Sequence, residues 1–400
     1  MLKQSFPRKV EQNAFKPVRD NYLVFGAPLI GEAEIAEVVD SLRSGWLGTG
    51  PKVAKFEDMV RQYVGAGYAV ALNSCTAGLH LSMVAAGLGK GDEVITTPMT
   101  FCATVNAIIH TGATPVLVDI DRETQLIDPQ LIEDAITPRT RAIIPVHLCG
   151  RPCNMVAISD IARRHNLIVI EDAAHAIEAE YQGLKIGNIS QLTCFSFYAT
   201  KNVVTGEGGM VSTNDPDIAD KIKILALHGM SRDAWKRFSD DGYKHYQVVM
   251  PGFKYNMMDL QAAIGIHQMH NIDANLKRRN EIWARYNFAF ADLPVGLPAP
   301  DEPYTRHSRH LYTLMIDPAK CGISRDEFML KAHQMNIGTG VHYIGVHLHP
   351  YYAQQFGYQP IDFPNATWVS QSTVSIPLSP KLSEDDIEDI IYTVNHILRT

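Results

Sequence analysis

Two ionisable residues, Asp172 and Lys201, each follow a short segment that has the composition of a buried strand. The apolar segment Leu167–Ile170 is followed by Glu171 and Asp172, and the β-rich segment Leu192–Phe197 leads to Lys201. Open α/β sheets bind ligands just beyond the carboxyl ends of their strands. We therefore expect this carboxylate and this amine to face one ligand site.

A lysine and an aspartate are the two main contributions of a protein to pyridoxal phosphate (PLP) chemistry: the lysine forms a Schiff base, and the acid pairs with the pyridinium nitrogen. Taken alone, an aspartate after a strand is more often a helix cap, and a lysine is usually a solvated surface charge. Lys201, however, lies in a segment that is poor in charge and rich in β-branched and aromatic residues. The combination favours a PLP site.

The elements around these residues alternate between strand and helix patterns. Strands are predicted at residues 68–72, 93–97, 115–119, 141–146, 167–170 and 192–197. A further strand is predicted at residues 310–316, and helices are predicted at residues 30–42, 53–64, 128–136, 154–165, 217–228, 281–290 and 325–335, from 384 onwards, and in the segments that end at Gly87 and His110. The alternation indicates an α/β fold with a mostly parallel central sheet and helices on both faces. The composition changes near residue 271, so we expect a large domain over 21–270 and a smaller α+β domain over 271–400, with which residues 1–45 are candidates to pack.

Bulk properties exclude several other classes. The 400 residues are 46% hydrophobic and 20% charged, and the net charge of −7 gives no electrostatic case for binding nucleic acid or an anionic membrane. No apolar run approaches the ~18 residues of a membrane span, and the N-terminus lacks a signal-peptide core. The six cysteines lie mostly in apolar runs, which predicts reduced thiols in a cytoplasmic protein. Cys149 and Cys153 are interpreted as structural, because no second Cys/His pair at zinc spacing accompanies them.

The segment NSCTA (residues 73–77) precedes an apolar helical pattern. Helix N-termini present free N–H groups to anions, so this segment is a candidate phosphate site. Its ordinary alternative is a helix cap formed by Ser74 or Thr76.

Three motifs in order, EDAAHA (171–176), FSFYATKN (195–202) and GEGGM (206–210), resemble those of the DegT/StrS family of PLP-dependent sugar aminotransferases. The similarity extends from about Leu23 to the C-terminus. It implies the aspartate aminotransferase fold (fold type I) and transfer of an amine, with glutamate as donor, to a nucleotide-linked keto-sugar. Within the family the overall similarity favours a 4-keto-6-deoxy sugar.

The resemblance also implies roles for individual residues. Lys201 is expected to hold PLP and then to carry the proton between substrate and cofactor as general base and acid. Asp172 is expected to pair with the ring nitrogen, and Thr76, Ala77 and Ser196 to contact the phosphate. The glycine that usually precedes this threonine is replaced by cysteine here.

Two further positions match residues that the family places beside the cofactor ring. Phe101 matches a stacking aromatic, with core packing as its ordinary alternative. His175 matches a His/Gln position near the cofactor, with a structural histidine as the alternative.

Two later motifs imply binding partners. The segment YNMMDLQAA (255–263) is similar to a family motif whose asparagine reaches the PLP phosphate of the neighbouring subunit, which implies a homodimer with shared sites and gives Asn256 this role. Its ordinary alternative is a helix cap. The segment HYIGVHLHP (342–350) resembles a loop near the nucleotide-sugar site, which makes His342, Tyr343 and His347 candidate substrate-binding residues. No clustered acid or cysteine completes a metal set with these histidines, so no metal is predicted.

Three alternatives remain. Sugar dehydratases of the same family carry histidine at the lysine position, so Lys201 argues against them. An aminotransferase for a cyclitol or another keto-substrate without a nucleotide stays open. A non-catalytic regulator with the same fold is disfavoured by the absence of a basic region or a DNA-binding motif.

Overall fold

The computed structural model describes residues 16–231 and 246–399. The strands in chain order are β1 (Tyr68–Leu72), β2 (Glu93–Thr96), β3 (Thr114–Leu117), β4 (Thr140–Ile143), β5 (Ile168–Asp172), β6 (Glu180–Tyr181), β7 (Leu184–Lys185), β8 (Leu192–Ser196), β9 (Gly209–Thr213), β10 (Thr305–Arg306), β11 (Tyr312–Met315) and β12 (Thr373–Ile376). The helices are α1 (Glu32–Ser44), α2 (Pro51–Val64), α3 (Cys75–Ala85), α4 (Cys102–Thr111), α5 (Pro129–Ile132), α6 (Met155–His165), α7 (Pro216–Ala226), α8 (Asp259–His270), α9 (Ile272–Phe290), α10 (Pro318–Cys321), α11 (Arg325–Gln334), α12 (Pro350–Phe356), α13 (Pro364–Ser372) and α14 (Glu384–Arg399).

The central sheet has the strand order β1-β9-β8-β5-β4-β2-β3. The pairs β2–β3, β2–β4, β4–β5 and β5–β8 are parallel, whereas β9 runs antiparallel to both β1 and β8. The predicted, mostly parallel sheet is therefore confirmed. β9 was not predicted, because its first residue belongs to the glycine-rich GEGGM segment, whose composition is typical of a loop.

Both faces of this sheet are buried, as the alternation within β1 demonstrates. Ala69 and Ala71 pack in one hydrophobic cluster with residues of α2, α6 and α8, whereas Val70 and Leu72 pack in another with residues of α3 and α7. Successive side chains of a strand point to opposite faces, so each face requires its own layer of helices.

The C-terminal part of the chain forms a second core. β11 pairs antiparallel with β12, and apolar residues of α9, α11 and α14 pack with them in a cluster that includes Tyr286, Phe328 and Ile390. The composition change near residue 271 falls between α8 and α9, and the division into domains stays a prediction.

The N-terminal segment joins both parts of the chain. The Gly338 N–H donates to the carbonyl of Leu23, next to the second core, while Glu37 on α1 bonds to His267 on α8. Part of the predicted N-terminal packing concerns residues 1–15, which lie outside the described residues.

Two helices differ from their predicted extents by more than two residues at one end. The helix predicted at 128–136 is a short α-helix, α5, followed by a 3₁₀ turn, Glu133–Ala135. The helix predicted at 281–290 begins earlier, at Ile272, because the polar run KRRN interrupts the apolar pattern, although Arg279 within this run is buried. Within the two described ranges, no helix combines the length and apolar composition needed to cross a membrane.

Candidate functional site

A cavity of about 560 Å³ lies at the carboxyl edge of the parallel strands. Each parallel strand that borders it ends in a segment that contributes side chains, because parallel strands all finish at the same edge. The predicted residues that line the cavity are Thr76, Phe101, Asp172, His175, Ser196, Lys201, His342 and Tyr343. Residues far apart in the chain are therefore collected at one place.

Asp172, the last residue of β5, is a buried carboxylate that lines the cavity without an ion-pair partner among the described residues. One of its oxygens accepts a hydrogen bond from Thr104 Oγ1 at 2.7 Å, and the other accepts one from the Ala174 N–H at 3.2 Å. Burial raises the pKa of Asp172 above its ordinary value, although these hydrogen bonds and nearby Lys201 oppose the shift. A cationic group in the cavity would complete this environment.

Glu171, the neighbour of Asp172 in the sequence, has a different environment. Its side chain is completely buried and accepts hydrogen bonds from Thr193 Oγ1 at 2.9 Å and from the backbone N–H of Ser190. It also contacts His147 Nε2 at 2.8 Å, and the other ring nitrogen of His147 accepts the Cys153 N–H. The proton of His147 is therefore on Nε2, and Glu171 is a satisfied structural carboxylate.

Lys201 lines the same cavity as Asp172, together with several neutral side chains. Burial lowers the pKa of its ammonium group to about 8, since the charged form loses hydration, while Asp172 and the thiols of Cys75 and Cys149 act against this shift. An amine with such a pKa is partly unprotonated near neutral pH and is thus available as a nucleophile or a base.

The N-terminus of α3 opens onto the same cavity. Ser74 caps this helix, and its hydroxyl accepts the Ala77 N–H at 3.1 Å, which confirms the capping alternative for Ser74. Thr76, in the first turn, lines the cavity, whereas Ala77 is buried behind it. The positive end of the helix dipole and the Thr76 side chain provide an environment for an anion.

Gly209 allows β9 to pack closely against the N-terminus of α3. A Cβ atom at this position would lie 2.3 Å from both the carbonyl carbon and the carbonyl oxygen of Ser74, and 2.5 Å from the Cys75 nitrogen. Only a residue without a side chain allows β9 to approach the helix start this closely. The second of the two adjacent glycines in the GEGGM motif thus has a steric explanation.

His175 and Tyr343 form a directed chain of hydrogen bonds on the cavity wall. The Cys149 N–H donates to His175 Nδ1 at 3.2 Å, so the ring proton is on Nε2, which is 3.1 Å from the Tyr343 hydroxyl. His175 therefore donates to the Tyr343 oxygen, and the hydroxyl proton of Tyr343 is free to point elsewhere. Phe101 contacts Tyr343 and is 58% exposed, so an apolar surface borders the cavity.

Three predicted residues do not line this cavity: Ala77, which is buried behind Thr76, His347 and Asn256. His347 is buried and bonds to Thr367 Oγ1 at 2.8 Å. Asn256 lines a separate depression, where its Nδ2 donates to Thr49 Oγ1 at 2.6 Å and its Oδ1 has no partner among the described residues. The alternative role of Asn256 as a helix cap is wrong, because α8 begins at Asp259 after Met258.

The cavity also contains residues that the sequence did not indicate. Phe25, Gly26 and His310 line the wall, whereas Thr104 is buried behind it and bonds to Asp172. The sequence could have indicated Thr104, because it lies one helical turn after Phe101, in the first turn of α4. The others are brought to the cavity by long-range packing. In the described part of the chain, no group of three or more His, Cys, Asp or Glu residues is arranged to hold a metal ion.

Comparisons with known proteins extend over nearly the whole chain. Residues 28–395 match the model of the DegT/DnrJ/EryC1/StrS aminotransferase family. The spore coat polysaccharide biosynthesis protein SpsC of Bacillus subtilis is 52% identical over 385 residues, covering 95% of this chain and 98% of SpsC.

Solved structures are similar over the same extent. The PLP form of the putative sugar aminotransferase Spr1654 from Streptococcus pneumoniae has a TM-score of 0.88 at 33% identity, covering 94% of this chain and 99% of its own, and a PMP form of the same protein has a TM-score of 0.87. DesI, solved in the presence of its TDP-sugar product, has a TM-score of 0.84 at 33% identity, covering 95% of this chain and 94% of its own.

Proposed function

This chain belongs to the DegT/DnrJ/EryC1/StrS aminotransferase family, and on that premise we propose that it transfers an amino group to a nucleotide-linked keto-sugar. The fold, the enzyme class and the cofactor predicted from the sequence are confirmed: the protein is a PLP-dependent aminotransferase of fold type I. The observation that supports the proposed chemistry best is the meeting of Lys201 and the buried, unpaired Asp172 in one cavity.

The residues of this cavity fit PLP. Asp172 supplies the negative charge for the pyridinium nitrogen, the α3 N-terminus with Thr76 and Ser196 supplies donors for the phosphate, and exposed Phe101 supplies a flat apolar surface for the ring. Ala77 would contribute through its position in the first turn of α3, and His175 through its place beside the ring. When bound, PLP provides an electron sink for breaking the C–H bond next to the amine.

Lys201 is the proposed catalytic residue. Its Nζ would hold PLP, and when free it would act as the base that takes the proton from the amine-bearing carbon of the donor, and then as the acid that returns it. Burial assists this role, because the lowered pKa of about 8 keeps part of the amine unprotonated.

Two names among the relatives support a nucleotide-sugar substrate. SpsC is named for polysaccharide biosynthesis, and DesI was solved with a TDP-sugar product. We propose a 4-keto-6-deoxy nucleotide sugar as acceptor, L-glutamate as amine donor, and supply of an amino sugar to a polysaccharide as the biological use. His342 and Tyr343 line the cavity and are positioned to contact the sugar, whereas His347 would act from behind the loop that carries them.

A cytoplasmic location is also proposed. Six cysteines are unpaired in the structure, and the cytoplasm keeps thiols reduced.

The experiment that tests the proposed function combines a spectrum with a substrate panel. The purified protein should be yellow, and borohydride should remove the colour and the activity together. Glutamate should convert the cofactor to its amine form, and a panel of nucleotide keto-sugars should then restore the starting spectrum. Restoration by keto-cyclitols alone would establish the alternative substrate class, and a colourless protein that never binds PLP would contradict the proposal.

Replacing Gly209 with alanine should weaken PLP binding by about tenfold or more, or ~1.4 kcal/mol. The new Cβ would lie 2.3 Å from the Ser74 backbone, so the start of α3 must move away from its present position. Titration of the apo-protein with PLP measures this affinity. Gly89→Ala is the control, since a Cβ there meets only one atom, at an ordinary 3.7 Å. Equal affinity in the two variants would show that the α3 N-terminus does not contact the phosphate.

We further propose a homodimer in which Asn256 of the partner subunit completes the phosphate site. Asn256 lies outside the cavity of its own chain, and Lys201 is the only lysine or arginine among the described residues that line the cavity. A phosphate dianion bound only by helix N–H groups and two hydroxyl groups leaves room for a further donor.

Mixing Lys201→Ala subunits with Asn256→Ala subunits should restore activity to about a quarter of the wild-type value. Under random exchange about half the dimers are hybrids, and each hybrid has one site with both defects and one with neither. The measurement is steady-state activity after demonstrated subunit exchange, with each variant alone as control. If Asn256→Ala alone is severely impaired and mixing gives no gain, Asn256 serves its own subunit.

A further inference from the structure

His310 lies on the cavity wall with Lys201, although no motif in the sequence indicated it. It precedes β11, is 5% exposed, and also borders a small chamber behind Lys201. No hydrogen bond of the Lys201 Nζ to a described side chain or carbonyl is present. No hydrogen bond from the described residues therefore orients the amine in this structure.

The side chain of Asn202, the residue after Lys201, has a defined orientation. Its Nδ2 donates to Glu178 Oε2 at 2.8 Å and to the carbonyl of Ser308 at 3.0 Å. Both partners are acceptors, because Glu178 is a carboxylate paired with buried Arg279. The Asn202 oxygen must therefore face the opposite way, towards His310.

This orientation determines the tautomer of His310. Its Nδ1 is 2.9 Å from Asn202 Oδ1, an atom that can only accept, so the ring proton must be on Nδ1. Burial, together with nearby Lys201, holds the pKa of His310 well below its usual range, which keeps the ring neutral. Nε2 of His310 consequently carries a lone pair, and no described residue donates to it.

His175 has the opposite tautomer, although its ring lies only 4.3 Å from that of His310. The Cys149 N–H occupies His175 Nδ1, so His175 presents an N–H group at Nε2. Two neighbouring imidazoles of the cavity thus have complementary properties: one donates a hydrogen bond and the other accepts one.

We infer that His310 is a positioning residue for Lys201: once the amine is released from the cofactor during the reaction, Nζ turns and donates a hydrogen bond to the unprotonated Nε2 of His310. Donation of one N–H to His310 directs the Nζ lone pair away from His310 and restricts the rotation of a long, flexible side chain. The buried Arg279–Glu178 pair and Asn202 hold His310 in place through three successive side-chain contacts. The inference rests on the proposed catalytic role of Lys201.

The tautomer can be measured without catalysis. In the apo-protein labelled with ¹⁵N-histidine, long-range ¹H–¹⁵N correlation spectra should show His310 as the Nδ1–H form from pH 6 to 9. His307 is an internal control, because its Nδ1 accepts the Arg309 N–H at 2.8 Å, which predicts the Nε2–H form. Assignment comes from the signal that His310→Gln removes. An Nε2–H form or an imidazolium at His310 would overturn the inference.

Kinetics of the donor half-reaction test whether the hydrogen-bond acceptor at His310 Nε2 assists Lys201. His310→Phe keeps a ring next to His175 but lacks the acceptor, and it should slow the single-turnover rate by about 10–100-fold without changing the donor KM. His310→Gln, which offers an amide oxygen, should recover part of the rate. His307→Phe, outside the cavity, is the matched control and should remain near the wild-type rate.

The outcomes separate the two proposals. A wild-type rate in His310→Phe, or a change confined to KM, would overturn the positioning role. Activity in Lys201→Ala measured in the same assay would instead overturn the proposed function, whereas the tautomer of His310 would still be read from the spectra.

Discussion

Lys201→Ala should abolish transamination, with a loss of at least about 10³-fold in the donor half-reaction, while the fold and weak PLP binding remain. The variant loses both the nucleophile that binds the cofactor and the base that moves the proton, and general base catalysis alone contributes about 10²–10⁴-fold. The contacts proposed for the phosphate and the ring, at Thr76, Asp172 and Phe101, are left in place. The variant should therefore bind PLP without the borohydride-reducible link.

Lys201→Arg is the matched control, since it keeps a positive charge but cannot form the covalent link, and it should be equally inactive. The pH dependence provides an independent measurement. Capture of PLP by the wild-type apo-protein requires the neutral amine, so its rate should rise with pH through the Lys201 pKa of about 8. Full activity in Lys201→Ala, or a capture rate independent of pH from 6 to 9, would remove Lys201 from this role.

Asp172→Asn should lower turnover by about 10²–10³-fold, a loss typical of removing one preorganised electrostatic partner. The asparagine retains the size of the side chain and the acceptor for the Ala174 N–H, but it has no charge for the pyridinium nitrogen. PLP affinity should fall as well. The measurements are turnover in the donor half-reaction and PLP titration, and wild-type values for both would contradict the role.

The same substitution should stabilise the protein when no PLP is present. Burial raises the pKa of Asp172, so its contribution to stability declines as pH rises from the ordinary aspartate pKa through the raised one. Above that range the folded apo-protein contains a buried carboxylate that has no ion-pair partner among the described residues, and asparagine removes its charge. The melting temperature of apo Asp172→Asn at pH 8 should therefore exceed that of the wild-type apo-protein, and the difference should shrink towards pH 4. A lower melting temperature at pH 8 would show that the carboxylate is satisfied without a cation.

The parts of the site that follow strands could be predicted from the sequence, because a strand end is a local feature. Asp172 and Lys201 each come after a short apolar or β-rich segment, and the NSCTA segment precedes a helix. Because parallel strands finish at one edge of a sheet, these segments were expected to lie close together. The antiparallel β9 had no such local signal. Its first residue, Gly209, is required by contact with Ser74, a residue distant in sequence.

The remaining wall of the cavity depends on contacts between distant segments. His310 acquires its orientation from Asn202 and Glu178, which no periodicity connects with it. Phe25 reaches the cavity because the preceding residues pair with the end of α11, where the Leu23 N–H donates to the Asn336 carbonyl. The positions of these two residues depend on the tertiary packing of the chain and could not be predicted from local sequence patterns.

The opposite orientations of Glu171 and Asp172 have a consequence for engineering this protein. Glu171 is held by Thr193 and His147 on one side of β5, and Asp172 faces the cavity on the other. Because side-chain direction alternates along a strand, inserting or deleting one residue in β5 would exchange the two carboxylates. The carboxylate of Asp172 would then point into the core, and that of Glu171 would point into the cavity. Libraries that aim at new substrates should thus vary side chains around β5 but keep the length of this strand constant.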